Sequence, residues 1–85
     1  MVNKFSERTA SRLRQLGEKL RRMRLTLGVS RTVLAGRLRM HPMNYARIEQ
    51  GKQNVTFETL LRVADALGVE LDVRLKRAKK VEKKS

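Results

Sequence analysis

Residues 30–51 read SRTVLAGRLRMHPMNYARIEQG, and the fold turns on this stretch. Ser30 is a good helix N-cap, because its hydroxyl can accept from a free backbone N–H of the first turn. Val33, Leu34 and Leu38 supply apolar contacts at helical spacing. Met40-His41-Pro42 then breaks the helix. Proline disfavours the helical conformation in the residue before it and suits the first position of a new helix. A second short helix therefore starts at Pro42 and runs to about Gln50. Its apolar side is Tyr45 and Ile48, and Gly51 closes it.

The flanks are also helical. Leu13, Leu16, Leu20, Met23 and Leu27 recur at steps of three and four, placing them on one face of a longer helix that starts near Ser11. Arg and Lys cover its other face, and Gly28 stops it. Residues 1–11 are polar without a period and read as a flexible N-terminus. After a loop at residues 52–55, Thr56 caps a fourth helix, with Glu58 near its positive end. Phe57, Leu60, Leu61, Ala64 and Leu67 form its apolar stripe, and Gly68 ends it.

Beyond Gly68 the period drops to two. Val69, Leu71, Val73 and Leu75 alternate with Glu70, Asp72, Arg74 and Lys76, the pattern of a half-buried strand. A lone strand has no partner for its backbone groups. The simplest resolution is pairing with the same strand of a second copy, which makes those four apolar residues the expected dimer contacts. The expected organisation is a flexible segment 1–11, a helical domain 12–68, a dimerisation strand 69–76 and a disordered basic tail 77–85. The expected fold class is mainly α, with four to five helices and one short C-terminal strand.

Composition narrows the function. A chain of 85 residues makes one small domain, and a domain of this size is marginally stable alone, which favours oligomerisation. The 21 Lys and Arg against 8 Asp and Glu give a net charge of +13. A field of that sign favours nucleic acid or an anionic membrane surface. The absence of cysteine excludes disulfides and thiolate metal sites. The single histidine, His41, cannot build a metal site alone and has no acid–base partner nearby in sequence. The serines carry no nucleophile signature, and no phosphate-binding glycine loop is present. The expectation is a protein that is not an enzyme and uses no metal or cofactor. No apolar run approaches the roughly 20 residues needed to span a bilayer, and the N-terminus has no signal-peptide core. A soluble, cytoplasmic, nucleoid-associated protein is expected, without membrane contact.

A short helix, a three-residue break and another short helix form one unit, and the small Ala35 permits close helix approach. In a helix-turn-helix the second of these helices lies in the DNA major groove and the first crosses the backbone. LGEKLRRMRLTLGVSRTVLAGRLRM followed by NYARIEQGKQNVTFETLLRVADALGV resembles the Cro/CI-type (XRE) helix-turn-helix family over residues 13–69. The likeness is carried by Arg24, Leu27-Gly28, Leu34-Ala35, Ile48-Glu49-Gln50-Gly51 and the helix from Leu60 to Gly68.

The resemblance implies a lambda-repressor-like domain that binds double-stranded DNA. It places Ser30, Arg31 and Thr32 at the start of the first helix of the unit, where phosphate is met. Met43, Asn44 and Arg47 take the positions that face base edges. Pro42 holds the first such position and contributes only shape. Lys52 and Gln53 match loop positions that contact phosphate. His41 replaces the family's usual Ser or Thr cap; as a turn residue it can contact phosphate or have no role. Arg47 is the sharpest base reader, because arginine gives two hydrogen bonds to guanine O6 and N7. Asn44 suits adenine or phosphate, and Met43 a thymine methyl. Other basic residues add sequence-independent affinity through counterion release. The resemblance also implies a structural salt bridge between Arg24 and Glu49. Arg39 stands where the family usually has the glycine of the turn.

VELDVRLK resembles the C-terminal strand of HipB-like antitoxins, compact dimers that repress their own operon and bind a kinase toxin. The expected function is thus a homodimeric repressor on an inverted-repeat operator, serving as antitoxin and autorepressor in a HipBA-like operon with a HipA-like kinase partner. The alternatives are a plain phage or chromosomal repressor without a toxin, an interaction adaptor using the same helical domain, and a non-specific polyanion or membrane-surface binder driven by the tail.

Overall fold

Each helix among the described residues is opened by a side chain that accepts a backbone N–H from its first turn. Ser6 Oγ accepts from Thr9 at 3.1 Å and opens α1 (Glu7–Thr26). Ser30 Oγ accepts from Val33 and opens α2 (Arg31–Leu38). His41 Nδ1 accepts from Met43 and opens α3 (Pro42–Glu49). Thr56 Oγ1 accepts from Thr59 and opens α4 (Phe57–Leu67). These four helices are the regular structure of a computed structural model that describes residues 6–77.

The helix stops are equally uniform. After each helix one residue takes a left-handed backbone conformation, and paired hydrogen bonds reach back to the last carbonyls, as from Arg39 N to Gly36 O (3.1 Å) and Met40 N to Ala35 O (2.9 Å). That residue is Gly28, Gly51 and Gly68 at three ends and Arg39, at φ 59°, at the fourth. The doubled bonds satisfy carbonyls that a helix end leaves free.

The core is built around the two short helices. Leu34, Ala35, Leu38, Tyr45, Ile48, Val63 and Leu67 are buried together, with Leu20, Val29, Met40, Val55, Ala66 and Val69 packed against them. α3 packs on both α1 and α2, and α2 also packs on α4. Two arginines tie α2 to α4 reciprocally. Arg37 Nη1 donates to Ala66 O near the end of α4 (3.1 Å), and Arg62 Nη2 donates to Leu38 O at the end of α2 (2.6 Å). Each places a cation at the negative end of the other's helix.

Several expectations are corrected. α1 begins at Glu7 rather than near Ser11, because Ser6 caps it and Glu7 suits the positive end of the helix. Residues 7–11 are therefore helical and not a flexible segment; residues 1–5 lie outside the described residues, as do residues 78–85 of the expected basic tail. Val33 is exposed, and Val63, which the stripe of α4 passed over, is fully buried. Rotation by 100° per residue puts Val63 on the core side of Leu67, leaving Phe57 and Leu61 at the exposed edge.

The strand expected at residues 69–76 is not formed. Residues 69–77 carry no regular secondary structure. Alternation sets which side chains share a face, but a strand also needs a neighbour for its N–H and C=O groups. Among the described residues of the single chain there is no strand to provide one.

Candidate nucleic-acid interface

α3 divides cleanly around its axis. Tyr45, Ile48 and Glu49 are buried, while Met43, Asn44 and Arg47 are exposed. Steps of one, three and four place those three side chains on the side opposite the core. Pro42 is half-buried at the first position of the helix, and His41 is exposed ahead of it. His41 Nδ1 accepts from Met43 N at 3.1 Å. The missing Ser or Thr cap is thus replaced by an imidazole performing the same hydrogen bond.

The far end of α3 is anchored by charge. Glu49 is buried and takes two hydrogen bonds from Arg24, Nε to Oε2 at 2.6 Å and Nη2 to Oε1 at 3.1 Å. The third edge of Arg24 goes to Val29 O at 2.9 Å, so its guanidinium spans α1, α3 and the turn before α2. Arg31 Nε adds a bond to Glu49 Oε1 at 2.9 Å. Burial pushes the Glu49 carboxyl up, but its polar neighbours, Arg24 foremost, outweigh it and hold the group below the ordinary carboxylate range. The bond to Glu49 raises Arg24 in turn, against its own burial. Tyr45 Oη is enclosed beside this pair without a hydrogen bond of good geometry. Burial, then the neighbouring carboxylate, pushes its phenol well up.

The remaining candidates lie at the two ends of the motif. Ser30 and Thr32 are exposed at the start of α2, and the Ser30 hydroxyl is engaged as the helix cap. Lys52 is exposed and Gln53 half-buried just after Gly51. Val69 and Leu71 are half-buried, and Val73 and Leu75 are exposed, Leu75 at 96%. Together with Leu16, Leu20, Met23, Leu60 and Leu67, Val69 and Leu71 line an apolar groove of about 170 Å³ between α1 and α4.

Three contributors escaped the sequence reading. Gly17 lies where a Cβ would stand 2.6 Å from Ile48 O, so α1 meets the end of α3 backbone to backbone. Gly51, at φ +72°, would also press a Cβ against the Arg14 backbone. Its role as a helix stop was legible, but the close approach was not. The tie from Arg31 to Glu49 is the third, and no local pattern signals it, since the two residues are 18 apart in sequence.

Among the described residues no helix is long and apolar enough to cross a membrane. A family model described as a helix-turn-helix domain matches residues 15–76. Among solved structures, the chain is similar to the clp gene regulator ClgR from C. glutamicum, at 34% sequence identity and a TM-score of 0.67, with 68% of this chain and 74% of that chain covered. No curated protein matches the chain.

Proposed function

The chain belongs to the helix-turn-helix domain family, and from that premise we propose that it is a sequence-specific DNA-binding transcription regulator, acting as a homodimeric repressor on an inverted-repeat operator. The observation that carries this reading is the two-sided α3. Tyr45, Ile48 and Glu49 fix it in the core, and Met43, Asn44 and Arg47 project from its free side. Side chains presented from a rigid helix can discriminate bases in the major groove. In this reading α2 crosses the sugar-phosphate backbone with Ser30, Arg31 and Thr32 at its leading end, while His41, Pro42, Lys52 and Gln53 border the groove. The net charge of +13 supplies attraction to phosphates irrespective of sequence. The similar structure belongs to a gene regulator, which supports a regulatory role.

The dimer is supported by unpartnered apolar surface. Leu71 lines the groove between α1 and α4 together with the exposed Met23, and Val73 and Leu75 follow it in the chain as exposed apolar residues. Two copies meeting through residues 69–75 would cover this surface and give that segment's backbone the partner it lacks in one chain.

The test is enrichment of binding sites from a pool of random duplexes, followed by titration with the wild type and Arg47→Ala. The expected result is an enriched inverted repeat with half-sites about one helical turn apart or more. Arg47→Ala should lose about 1–3 kcal/mol of discrimination at one base pair of each half-site. An adaptor that does not read DNA would enrich no sequence, and a non-specific polyanion binder would hold all duplexes alike.

A further inference from the structure

The ion cluster at the base of α3 is unbalanced. Glu49 contributes one negative charge and meets two guanidinium groups, Arg24 and Arg31. Arg24 is buried and fully engaged, with Nε and Nη2 on Glu49 and Nη1 on Val29 O. The surplus positive charge therefore falls on Arg31. Its side chain is 40% exposed, and among the described residues only its Nε is engaged. Arg31 is also the first residue of α2, the helix assigned to the DNA backbone. One side chain is thus bonded to the last residue of the recognition helix and open to solvent where a phosphate would lie.

We propose that Arg31 is a positioning residue that couples a backbone phosphate to the recognition helix, its Nη edge taking the phosphate while its Nε holds Glu49. The inference rests on the DNA-binding reading above and deepens it. A guanidinium suits this role because its planar fork can serve two oxygen acceptors along two edges at once. A lysine offers a point charge and cannot hold both in fixed geometry. A phosphate on the outer edge would supply the charge the cluster lacks and stiffen Arg31 against Glu49. Backbone docking at α2 and the pose of Met43, Asn44 and Arg47 would then be set together. A phosphate contact without such a tie, as assigned to Lys52, adds affinity for every duplex equally.

The experiment uses two probes: the duplex enriched by the wild type from a random pool, and a mixed-sequence duplex of equal length. Both are titrated over a range of salt with the wild type, Arg31→Ala, Arg31→Lys and Lys52→Ala, and thermal melts confirm folding. Lys52→Ala should weaken both probes by the same factor. Arg31→Ala should reduce the salt slope by about 0.9, one phosphate's worth, and also lower the preference for the enriched duplex by about tenfold. Arg31→Lys should restore the slope without restoring the preference. If Arg31→Ala fails to fold, the lysine variant carries the test by itself. A preference fully restored by lysine, or an Arg31→Ala variant that behaves like Lys52→Ala, would overturn the coupling. An Arg31→Ala variant with an unchanged slope would overturn the phosphate contact. A wild type that enriches no duplex would instead overturn the DNA-binding reading beneath it.

Discussion

Glu49 is an acid on the helix assigned to meet a polyanion, and burial explains how that is tolerated. Its carboxylate points into the protein, where Arg24 and Arg31 hold it. Removing one partner of a buried pair leaves an uncompensated charge, a cost of about 3–5 kcal/mol. Glu49→Gln should lower unfolding stability by that amount in urea titrations at neutral pH, a large share of the total for so small a domain. The acid limb of the stability curve should change as well. The folded Glu49 carboxyl lies below its ordinary value of 4.5, so its stabilisation is fully present above that pH. It is lost as pH falls below 4.5 through the depressed folded value. In Glu49→Gln this part of the acid limb should flatten; an unchanged limb would show that the pair does not govern it. The two interior helix glycines make a second comparison at this scale. A Cβ at Gly17 runs into the carbonyls of Ile48 and Glu49, whereas at Gly36 nothing lies within 4 Å. Gly17→Ala should therefore cost about 1–3 kcal/mol through overpacking. Gly36→Ala should gain about 0.5–1 kcal/mol through helix propensity. Equal effects in thermal melts would refute the close approach of α1 to α3.

At the scale of elements, the helix boundaries were legible because they are local chemistry. Ser30, Thr56, Gly28, Gly51 and Gly68 start or stop helices through bonds that span at most five positions, and Pro42 starts α3 through its fixed backbone angle. Ser6 obeys the same rule but was hidden, because the apolar period that marks α1 begins only at Leu13. What stayed illegible was tertiary. Gly17 against Ile48, Arg31 against Glu49, and the reciprocal Arg37 and Arg62 bonds join residues far apart in sequence. The strand expected at residues 69–76 is absent from the single chain for a related reason, since alternation says nothing of a pairing partner. Arg39 is the element-scale anomaly, a side chain at φ 59° where the other three helix stops use glycine. A left-handed conformation costs a residue with a Cβ about 1–2 kcal/mol. Arg39→Gly should therefore raise stability by about 1 kcal/mol, measured as a higher urea midpoint at constant slope. A lower midpoint would mean that Arg39 makes a compensating contact larger than its backbone strain.

For the whole molecule, the net charge sets two equilibria against each other. Each copy carries +13, so two copies repel while their apolar surfaces attract. Duplex DNA attracts both. Added salt screens charges beyond about 10 Å at 0.1 M and should act oppositely on the two processes. Between about 50 mM and about 500 mM salt the Debye length shortens several-fold; self-association should strengthen while duplex affinity falls. Sedimentation velocity without DNA and titrations with DNA read the two trends separately. Leu75→Glu tests where the copies meet. Leu75 is 96% exposed in the single chain, so the variant should keep its helical signal and thermal midpoint as a monomer. It should shift the population toward monomer and weaken binding to an inverted repeat, while binding to an isolated half-site stays unchanged. A wild type that stays monomeric at all salt concentrations and binds one half-site per duplex would show that residues 69–75 do not join two copies. The apolar groove between α1 and α4 would then need a different occupant.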